Sequence, residues 1–321
     1  MKAIQITQHG GPDVLTVVET ADPTPQDHQV LVEVLYAGVN YIDTYFREGI
    51  YHSELPFIPG KEGCGRVIHD PRGEIADGTV VAWASAEGSY AEKVCVDRAR
   101  LVAVPDSISP EVAASMLLQG MTAHYLLYGV RDTQQGDSML VTAGAGGVGL
   151  LLTQLAHAQG ATVYSVVSTD EKEELAYAAG ATEVFRYSEG LAETVRRRNA
   201  GRGVDVVYDG VGKDTFQESL EAVRPRGLVC LFGAASGPVE PFDPQLLNKH
   251  GSIFLTRPSL GAYTATDDEF RMRAQAVVRA VEEGALNIRV HEPYALDDAS
   301  RAHHDLQSRS TTGSVVLKVA D

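Results

Sequence analysis

The fold is decided by residues 138–169, SMLVTAGAGGVGLLLTQLAHAQGATVYSVVST, a stretch that contains no Asp, Glu, Lys or Arg. Its first residues, 138–142, form a short apolar run typical of a strand buried on both faces. Glycines at GxGxxG spacing come next. Apolar residues then recur at helical spacing over 150–159, and a second apolar run covers 161–167. The order strand, glycine turn, helix, strand predicts a dinucleotide-binding βαβ unit.

The glycine turn consists of Gly144, Gly146 and Gly149 in their GxGxxG frame. Without side chains these residues allow a tight turn. They also let a pyrophosphate approach the start of the helix, where backbone N–H groups are unpaired. A membrane span is the alternative for so long an apolar stretch, since about 20 apolar residues suffice. The clustered glycines and the polar Gln154 and Gln159 argue against a span, so we expect no membrane insertion.

The bulk composition fits a soluble enzyme. The chain has 321 residues, 44% hydrophobic and 22% charged, which is enough for about two domains. A net charge of −16 disfavours nucleic acid as a partner, because nucleic acid rewards clustered Lys and Arg. The three cysteines form no CxxC pair and suggest no disulfide framework. Because the N-terminal residues lack a secretion signal, we expect a cytoplasmic protein.

The rest of the chain indicates two domains. Residues 1–108 contain short strand-like runs separated by Gly and Pro, which predicts an all-β, barrel-like domain. A helix over 111–128 is expected to lead into the second domain. From 138 to about 258 strands and helices alternate, which predicts a doubly wound parallel sheet and an α/β fold. A helix over 267–284 and a strand over 313–319 are expected to return to the first domain.

Several segments, in order and with matching spacing, resemble the zinc-independent quinone oxidoreductases of the medium-chain dehydrogenase/reductase superfamily. They are GVNYIDTYFREGIY (38–51), LPFIPGKEGCG (55–65), LLQGMTAHYLL (117–127), GAGGVGLLLTQLA (144–156), GVDVVYDGVGKDTF (203–216), GSIFLTRPSL (251–260) and RSTTGSVVL (309–317). The resemblance implies a GroES-like β-barrel catalytic domain (1–120 and 261–321) and an inserted Rossmann domain (121–260) that binds NADPH. It further implies a cleft between the two and one- or two-electron reduction of a quinone substrate.

The metal question can be argued from side-chain chemistry. Zinc-dependent relatives place a Cys where Asn40 stands, and a His in a G-H-E sequence where Lys61 stands. A protonated lysine is a poor zinc ligand and an asparagine is a weak one, so we expect no metal. The neighbouring Glu62 is expected to pair with a nearby cation.

Cofactor choice is read at the end of the second strand of the βαβ unit. An NAD site usually carries an acidic residue about 20 positions after the glycines. Here Ser168 is the first polar residue, and the family pattern adds Lys172, Tyr187 and Arg309 as partners of a 2′-phosphate. Cations and a hydroxyl suit a phosphate, so we expect NADPH. The acidic pair at 170–171 is contrary evidence, although it also suits the first turn of a helix.

The resemblance implies further cofactor contacts. They are Asn40, Thr122, Gly146, Gly147, Val148, Gly212, Phe232, Gly233, Phe254 and Leu255. The chain departs from the family at two loops. It has Gly210 where a Ser is usual in YDGVG, and Ala234 where an Asn is usual in FGNASG. We therefore expect that one or two polar cofactor contacts are missing or made by the backbone.

The catalytic candidates lie in one segment that the resemblance places beside the nicotinamide: Asn40, Asp43, Tyr45 and Tyr51. Asn40 and Tyr51 can donate hydrogen bonds to the acceptor oxygen as negative charge develops on it. Asp43 is expected to orient its neighbours or bond the cofactor, and Tyr45 fits a packing role equally well. Two alternatives stay open. One is reduction of α,β-unsaturated carbonyls or enoyl thioesters, and the other is a non-catalytic, crystallin-like NADPH-binding protein.

A homodimer is expected from the apolar run at 252–256. This run is predicted to be an edge strand, whose unpaired N–H and C=O groups need covering. The family's usual solution is strand pairing across a two-fold axis.

Overall fold

The computed structural model describes residues 1–320, which divide into two compact units. The first unit is Met1–Met121 together with the described residues from Thr264 onward, and the second is Thr122–Tyr263. The strands are β1 (Lys2–Gln5), β2 (Thr16–Glu19), β3 (Gln29–Val39), β4 (Glu62–His69), β5 (Val80–Trp83), β6 (Lys93–Asp97), β7 (Val102–Ala103), β8 (Ser138–Val141), β9 (Thr162–Val167), β10 (Glu183–Arg186), β11 (Val204–Asp209), β12 (Val223–Leu231), β13 (Phe254–Thr256), β14 (Tyr294–Ala295) and β15 (Val315–Lys318). The helices are α1 (Tyr41–Arg47), α2 (Pro110–Tyr125), α3 (Gly147–Ala158), α4 (Asp170–Ala178), α5 (Leu191–Arg198), α6 (Phe216–Ala222), α7 (Gln245–Lys249), α8 (Leu260–Tyr263), α9 (Asp267–Glu282) and α10 (Ala299–Gln307).

The first unit is built on a seven-stranded, mostly antiparallel sheet. The strand order is β14-β15-β3-β4-β5-β7, and β6 pairs with the outer half of β3. Strand β15 runs antiparallel to β3 with Val316 opposite Gly38, so the predicted return of the C-terminal strand is confirmed. Strand β4 begins opposite the end of β3, with Glu62 facing Gly38. This register brings the residues after β3 close to the start of β4.

The second unit is an all-parallel sheet with the order β10-β9-β8-β11-β12-β13. Counted within the unit, the order is 3-2-1-4-5-6, which is a doubly wound sheet. All four residues of β8 are buried, as its apolar sequence predicts. The winding reverses between β8 and β11. Ligands of doubly wound sheets bind beyond the carboxyl ends of the strands at this reversal, and the glycine turn after β8 lies there.

Some elements differ from the sequence expectation. β10, α5 and α10 are not predicted, because each is short and contains only a few apolar residues among charged and polar ones. The expected edge strand at 252–256 is shortened to β13, since Ser252 has a left-handed φ of 56°. Strand β13 is nevertheless at the end of the sheet order. Within residues 1–320, no helix combines the length and the apolar character needed to cross a membrane.

Candidate active site

The glycine turn of the second unit forms a bare helix start. Helix α3 begins at Gly147, and no side chain caps it. A Cβ on Gly144 would lie 1.7 Å from Ser165 Oγ, and one on Gly149 would lie 2.4 Å from Ala143 O. Side chains therefore do not fit at these two positions, and the first N–H groups of α3 are left to a ligand. The turn fits the pyrophosphate of a dinucleotide.

Tyr187 fixes this turn. Ala143, the residue before the first glycine, has a left-handed φ of 51°. Its backbone N–H donates to the Tyr187 hydroxyl oxygen at 2.7 Å. A left-handed alanine is strained, and this bond from a side chain 44 positions away helps to hold it. The sequence predicts Tyr187 as a phosphate partner, but it gives no sign of this second contact.

The predicted 2′-phosphate region follows β9. Ser168 is exposed there, and Thr169 caps α4 by accepting from the Lys172 N–H at 3.3 Å. The carboxylate of Asp170 accepts a 2.6 Å hydrogen bond from Arg186. Asp170 therefore lies in the first turn of a helix, as the alternative explanation of the acidic pair proposes, and it is also paired with Arg186. Arg309 belongs to the first unit, where it is exposed after α10 with a left-handed φ of 61°.

The loop after β11 is organised by one buried carboxylate. Asp209 is 0% exposed and lies at the end of the strand. Its two oxygens accept from Thr142 Oγ1 (3.1 Å), Thr215 Oγ1 (2.8 Å), Ser219 Oγ (2.7 Å), Val211 N–H (2.9 Å) and Gly212 N–H (3.1 Å). Five donor groups thus hold the loop that carries Gly212, one of the predicted cofactor contacts.

The two departures from the family pattern lie where loops pack closely. A Cβ on Gly210 would lie 2.8 Å from the Phe232 ring, and a Cβ on Gly233 would lie 2.4 Å from Gly210 O. A serine at Gly210 would therefore displace the phenylalanine. A Cβ on Gly212 would likewise lie 3.0 Å from Ala234 Cα. Of the other predicted cofactor contacts in this unit, Thr122 is buried, Gly146, Gly147, Val148 and Leu255 are half-buried, and Phe254 is 65% exposed.

The first unit holds a buried polar cluster around Asn40, which lies between β3 and α1. The Asn40 backbone N–H donates to Asp43 Oδ2 at 2.8 Å, and its Nδ2 donates to Glu62 Oε2 at 2.7 Å. The two carboxyl groups are 1% and 0% exposed. Within residues 1–320 Glu62 makes no ion pair within 4.0 Å, so the expected cation partner is wrong. The adjacent Lys61 instead binds Glu87 at 2.6 Å, because neighbouring residues of an extended chain point to opposite faces.

The Asn40 carboxamide is also bonded on its other side. Its Oδ1 accepts from Gln119 Nε2 at 3.1 Å, and Gln119 Oε1 accepts from the Ser314 hydroxyl at 2.7 Å. Gln119 is on α2, and Ser314 immediately precedes β15. We call Ser314, Gln119, Asn40 and Glu62 the amide chain. Sequence reasoning missed Gln119 and Ser314 because their partners are 79 and 195 positions away.

A second chain of hydrogen bonds reaches Asp43 from α10. Tyr90 Oη donates to Asp43 Oδ2 at 3.2 Å and lies 3.0 Å from His303 Nε2. Arg47 Nη1 lies 3.0 Å from His303 Nδ1. Arginine only donates, so His303 accepts at Nδ1 and donates from Nε2 to the tyrosine oxygen. Each hydrogen bond from Arg47 through His303 and Tyr90 is then donated in the direction of Asp43. The Oδ1 atom of Asp43 has no partner in the described chain.

Burial sets the proton state of this cluster. It raises the pKa of Asp43 to about 7. Burial also raises the pKa of Glu62 to about 8, and the nearby Asp43 charge adds to the increase. For His303, burial and the Arg47 charge lower the pKa to about 3, so the imidazole stays neutral. Two carboxyl groups can therefore hold protons near neutral pH. Shifts of this kind are typical of functional sites.

The predicted tyrosines form an aromatic contact. The rings of Tyr45 and Tyr51 have centroids 5.3 Å apart, and Tyr51 also meets Phe46 at 5.5 Å. Tyr45 is buried, whereas Tyr51 is 37% exposed. Of the four predicted catalytic residues, Asn40 is thus hydrogen-bonded to Asp43, and the ring of Tyr45 contacts that of Tyr51. Among residues 1–320 no group of three His, Cys, Asp or Glu is placed to hold a metal ion.

A doubly wound sheet with a glycine turn, in a chain that also forms a mostly antiparallel sheet, has the architecture of the medium-chain dehydrogenases/reductases. The alcohol dehydrogenase GroES-like domain family matches residues 26–106, and the zinc-binding dehydrogenase family matches residues 147–275. A quinone oxidoreductase of Pseudomonas aeruginosa is 40% identical over 321 residues, covering 98% of this chain and 99% of the relative. The chain belongs to the quinone oxidoreductase family of this superfamily.

Two further relatives show how the family varies. A mycobacterial protein solved in complex with NADPH is 49% identical, with a TM-score of 0.97, and the match covers 99% of this chain and 100% of that one. A 2-haloacrylate reductase from a Burkholderia species is 36% identical over 327 residues, covering 98% of each chain. The family therefore contains reductases of different acceptors on one fold.

Proposed function

We propose that this protein is an NADPH-dependent quinone oxidoreductase that works without a metal. The observation that supports NADPH binding is the uncapped start of α3, which follows glycines at which side chains do not fit. The acceptor half is supported by the full-length similarity to a quinone oxidoreductase and by the NADPH complex of the mycobacterial relative. When bound, NADPH supplies the hydride.

The second unit would hold most of the cofactor. The backbone of Gly146, Gly147 and Val148 would bind the pyrophosphate, because these residues open α3. Ser168, Lys172 and Tyr187 would bind the 2′-phosphate, together with Arg309 of the first unit. Around the rest of the cofactor we propose contacts from the remaining residues that the resemblance implies. They are Asn40, Thr122, Gly212, Phe232, Gly233, Phe254 and Leu255.

The first unit would act on the acceptor. A quinone accepts hydride readily, so the protein's main tasks are alignment and exclusion of water. One Nδ2 hydrogen of Asn40 is used by Glu62, and the other would donate to the acceptor oxygen as it gains charge. Tyr51 would add a second donor. Asp43 would orient Asn40 through the backbone N–H that it accepts, and Tyr45 would support the Tyr51 ring.

The test is NADPH oxidation, followed by absorbance, with a panel of quinones and a panel of α,β-unsaturated carbonyls and enoyl thioesters. We expect quinones to be reduced with the highest kcat/KM. The 2-haloacrylate reductase relative favours activated alkenes as the second candidate. Preference for that panel would replace the quinone proposal. Tight NADPH binding without oxidation by either panel would indicate the crystallin-like alternative.

Three finer proposals accompany the activity. We expect no stoichiometric zinc, because Asn40 and Lys61 stand where zinc-dependent relatives have metal ligands. Elemental analysis of the purified protein checks this.

We expect a homodimer joined through the edge strand β13, where Phe254 is 65% exposed. Light scattering that gave the 34.4 kDa of one chain would contradict the dimer. A cytoplasmic location, without nucleic acid as a partner, remains our expectation from the sequence.

A further inference from the structure

The carboxamide of Asn40 is held from both sides by the amide chain. The three bonds measure 2.7 Å from Asn40 to Glu62, 3.1 Å from Gln119 to Asn40, and 2.7 Å from Ser314 to Gln119. Each of the four residues is less than 10% exposed. An amide has one donating end and one accepting end, so the direction of each bond dictates the direction of the next.

The direction is decided at the Glu62 end. Its Oε1 accepts from the Leu118 N–H at 2.7 Å, so Oε2 is the atom that addresses Asn40. Because an ionised Glu62 can only accept hydrogen bonds, Asn40 must place Nδ2 toward Glu62 and Oδ1 toward Gln119. A protonated Glu62 can instead donate from Oε2 to the Asn40 carbonyl oxygen. Both amides then reverse, and every bond of the chain can still be made.

We propose that Glu62, Gln119 and Ser314 are positioning residues that orient the Asn40 carboxamide, and that the chain supports catalysis only in the direction in which Glu62 accepts. This inference rests on the proposed function, in which an Asn40 N–H faces the acceptor oxygen. Reversal exchanges Nδ2 and Oδ1. The acceptor oxygen would then meet the lone pairs of a carbonyl instead of a donor, at the moment when that oxygen gains negative charge.

Both directions are accessible near neutral pH. The charged and titratable groups facing Glu62 are Asp43 on α1 and the phenol of Tyr90. The ammonium of Lys61 is turned to Glu87. Burial together with Asp43 raises the pKa of Glu62 to about 8. The active direction needs the carboxylate, so kcat of the wild-type protein should rise as pH increases through about 8.

The first test replaces the carboxyl without changing its shape. In Glu62→Gln the new oxygen can accept from Leu118, and the new amide nitrogen donates to Asn40 Oδ1, which fixes the reversed direction. At pH 9 we expect kcat to fall about 10-fold or more, with the rise near pH 8 abolished and the NADPH dissociation constant little changed. The control is Glu218→Gln in the second unit, whose carboxylate accepts from the N–H groups of Gly190 and Ala192. It should keep the wild-type pH profile.

The second test separates direction from charge. Gln119→Glu places a carboxylate at the other side of Asn40 and draws Nδ2 toward it, so it also favours reversal. It adds a negative charge, whereas Glu62→Gln removes one. An effect of charge alone would therefore have opposite signs in the two variants. We expect kcat at pH 9 to fall in both.

The double variant Glu62→Gln/Gln119→Glu decides the question. It has the net charge of the wild type and a fully paired but reversed chain. We expect its thermal midpoint to recover relative to Gln119→Glu while kcat stays low. Recovery of kcat, or a midpoint below both single variants, would overturn the proposal. So would a wild-type kcat and pH profile in Glu62→Gln. Failure of the proposed function would look different, because the wild-type protein itself would then not reduce quinones.

Discussion

Asp209 in the second unit and Asp43 in the first are both buried aspartates: Asp209 ends strand β11, and Asp43 lies in the first turn of helix α1. Asp209 accepts from five donor groups spread over both oxygens. Asp43 accepts from two groups, both at Oδ2, and its Oδ1 has no partner within residues 1–320. The pKa of Asp43 is raised to about 7 because burial outweighs its few bonds.

This difference separates two uses of a buried acid. A carboxylate surrounded by donors fixes backbone, and in the second unit it fixes the loop that carries Gly212. A carboxyl group with few donors costs stability when ionised and so can gain or lose a proton near neutral pH. The second unit thus uses its buried acid to hold a loop in place. The first unit keeps proton-holding groups around Asn40.

The largest expected effect compares two identical substitutions. In Asp209→Asn an amide nitrogen must face donors, so we expect a loss of about 2–4 kcal/mol in the free energy of unfolding. In Asp43→Asn the new carbonyl oxygen can replace Oδ2 and keep both bonds, while the nitrogen takes the unpartnered position. The loss there should be clearly smaller. Urea denaturation followed by circular dichroism measures both, and equal losses would contradict the distinction.

The second prediction concerns pH. The folded pKa values of Asp43 and Glu62, about 7 and about 8, lie above the ordinary values of 3.8 and 4.5. The folded state therefore binds these protons more tightly, and the stability they contribute is present at low pH and lost as pH rises to about 8. We expect the free energy of unfolding to fall as the pH rises from 5 to 9, most steeply below about pH 7, where both groups still lose protons on unfolding.

Variants show whether these two groups cause the fall. Asp43→Asn combined with Glu62→Gln should flatten the dependence between pH 5 and pH 9. Asp70 acts in the opposite direction, because its hydrogen bond from Arg98 lowers its pKa. Its contribution is present above the ordinary pKa and lost only in stronger acid, which is why the comparison starts at pH 5. An unchanged slope in the double variant would assign the effect to other residues.

The same contrast explains what the sequence could predict. The glycine turn and helix start of the second unit follow from a local pattern. A buried strand, glycines and a helix occur in that order within about 30 residues, and dinucleotide binding requires this order. The sequence did not reveal the Tyr187 contact to Ala143, because it joins residues 44 positions apart. It also did not show that a side chain at Gly210 would have to displace the Phe232 ring.

The cluster of the first unit was harder to predict. Asn40 and Asp43 share one segment and could be found, but the partners of Asn40 come from β4 and α2 and, beyond them, from the residue before β15. Their bonds span 22, 79 and 195 positions. Residue type alone predicts a cation partner for Glu62. Whether a buried carboxyl meets a cation or an amide depends on the register of β3 with β4, which no local pattern encodes.

The third prediction concerns Arg309, which the family pattern assigns to the 2′-phosphate of NADPH. Loss of one charge-assisted phosphate contact in Arg309→Ala should weaken NADPH binding by ~1.5–3 kcal/mol and leave NADH nearly unaffected. Arg226→Ala is the matched control, since Arg226 is also exposed and has a left-handed φ of 57°. Fluorescence titration measures both cofactors, and equal weakening of the two would remove Arg309 from the 2′-phosphate site.

The smallest expected effect is in the chemical step and concerns Tyr51. Its ring meets Tyr45 and Phe46 edge-on, and Tyr51→Phe keeps both contacts while removing the hydroxyl donor. We expect kcat for quinones to fall ~10- to 100-fold with little change in NADPH affinity, because the bond is used mainly in the transition state. A matched control is Tyr177→Phe, which removes an exposed hydroxyl from α4.

The loss of kcat in Tyr51→Phe should be larger with an α,β-unsaturated aldehyde, a weaker hydride acceptor that depends more on the donor. If Tyr51→Phe kept the wild-type kcat with both acceptors, Tyr51 would only line the pocket. The donor function of the first unit would then rest on Asn40.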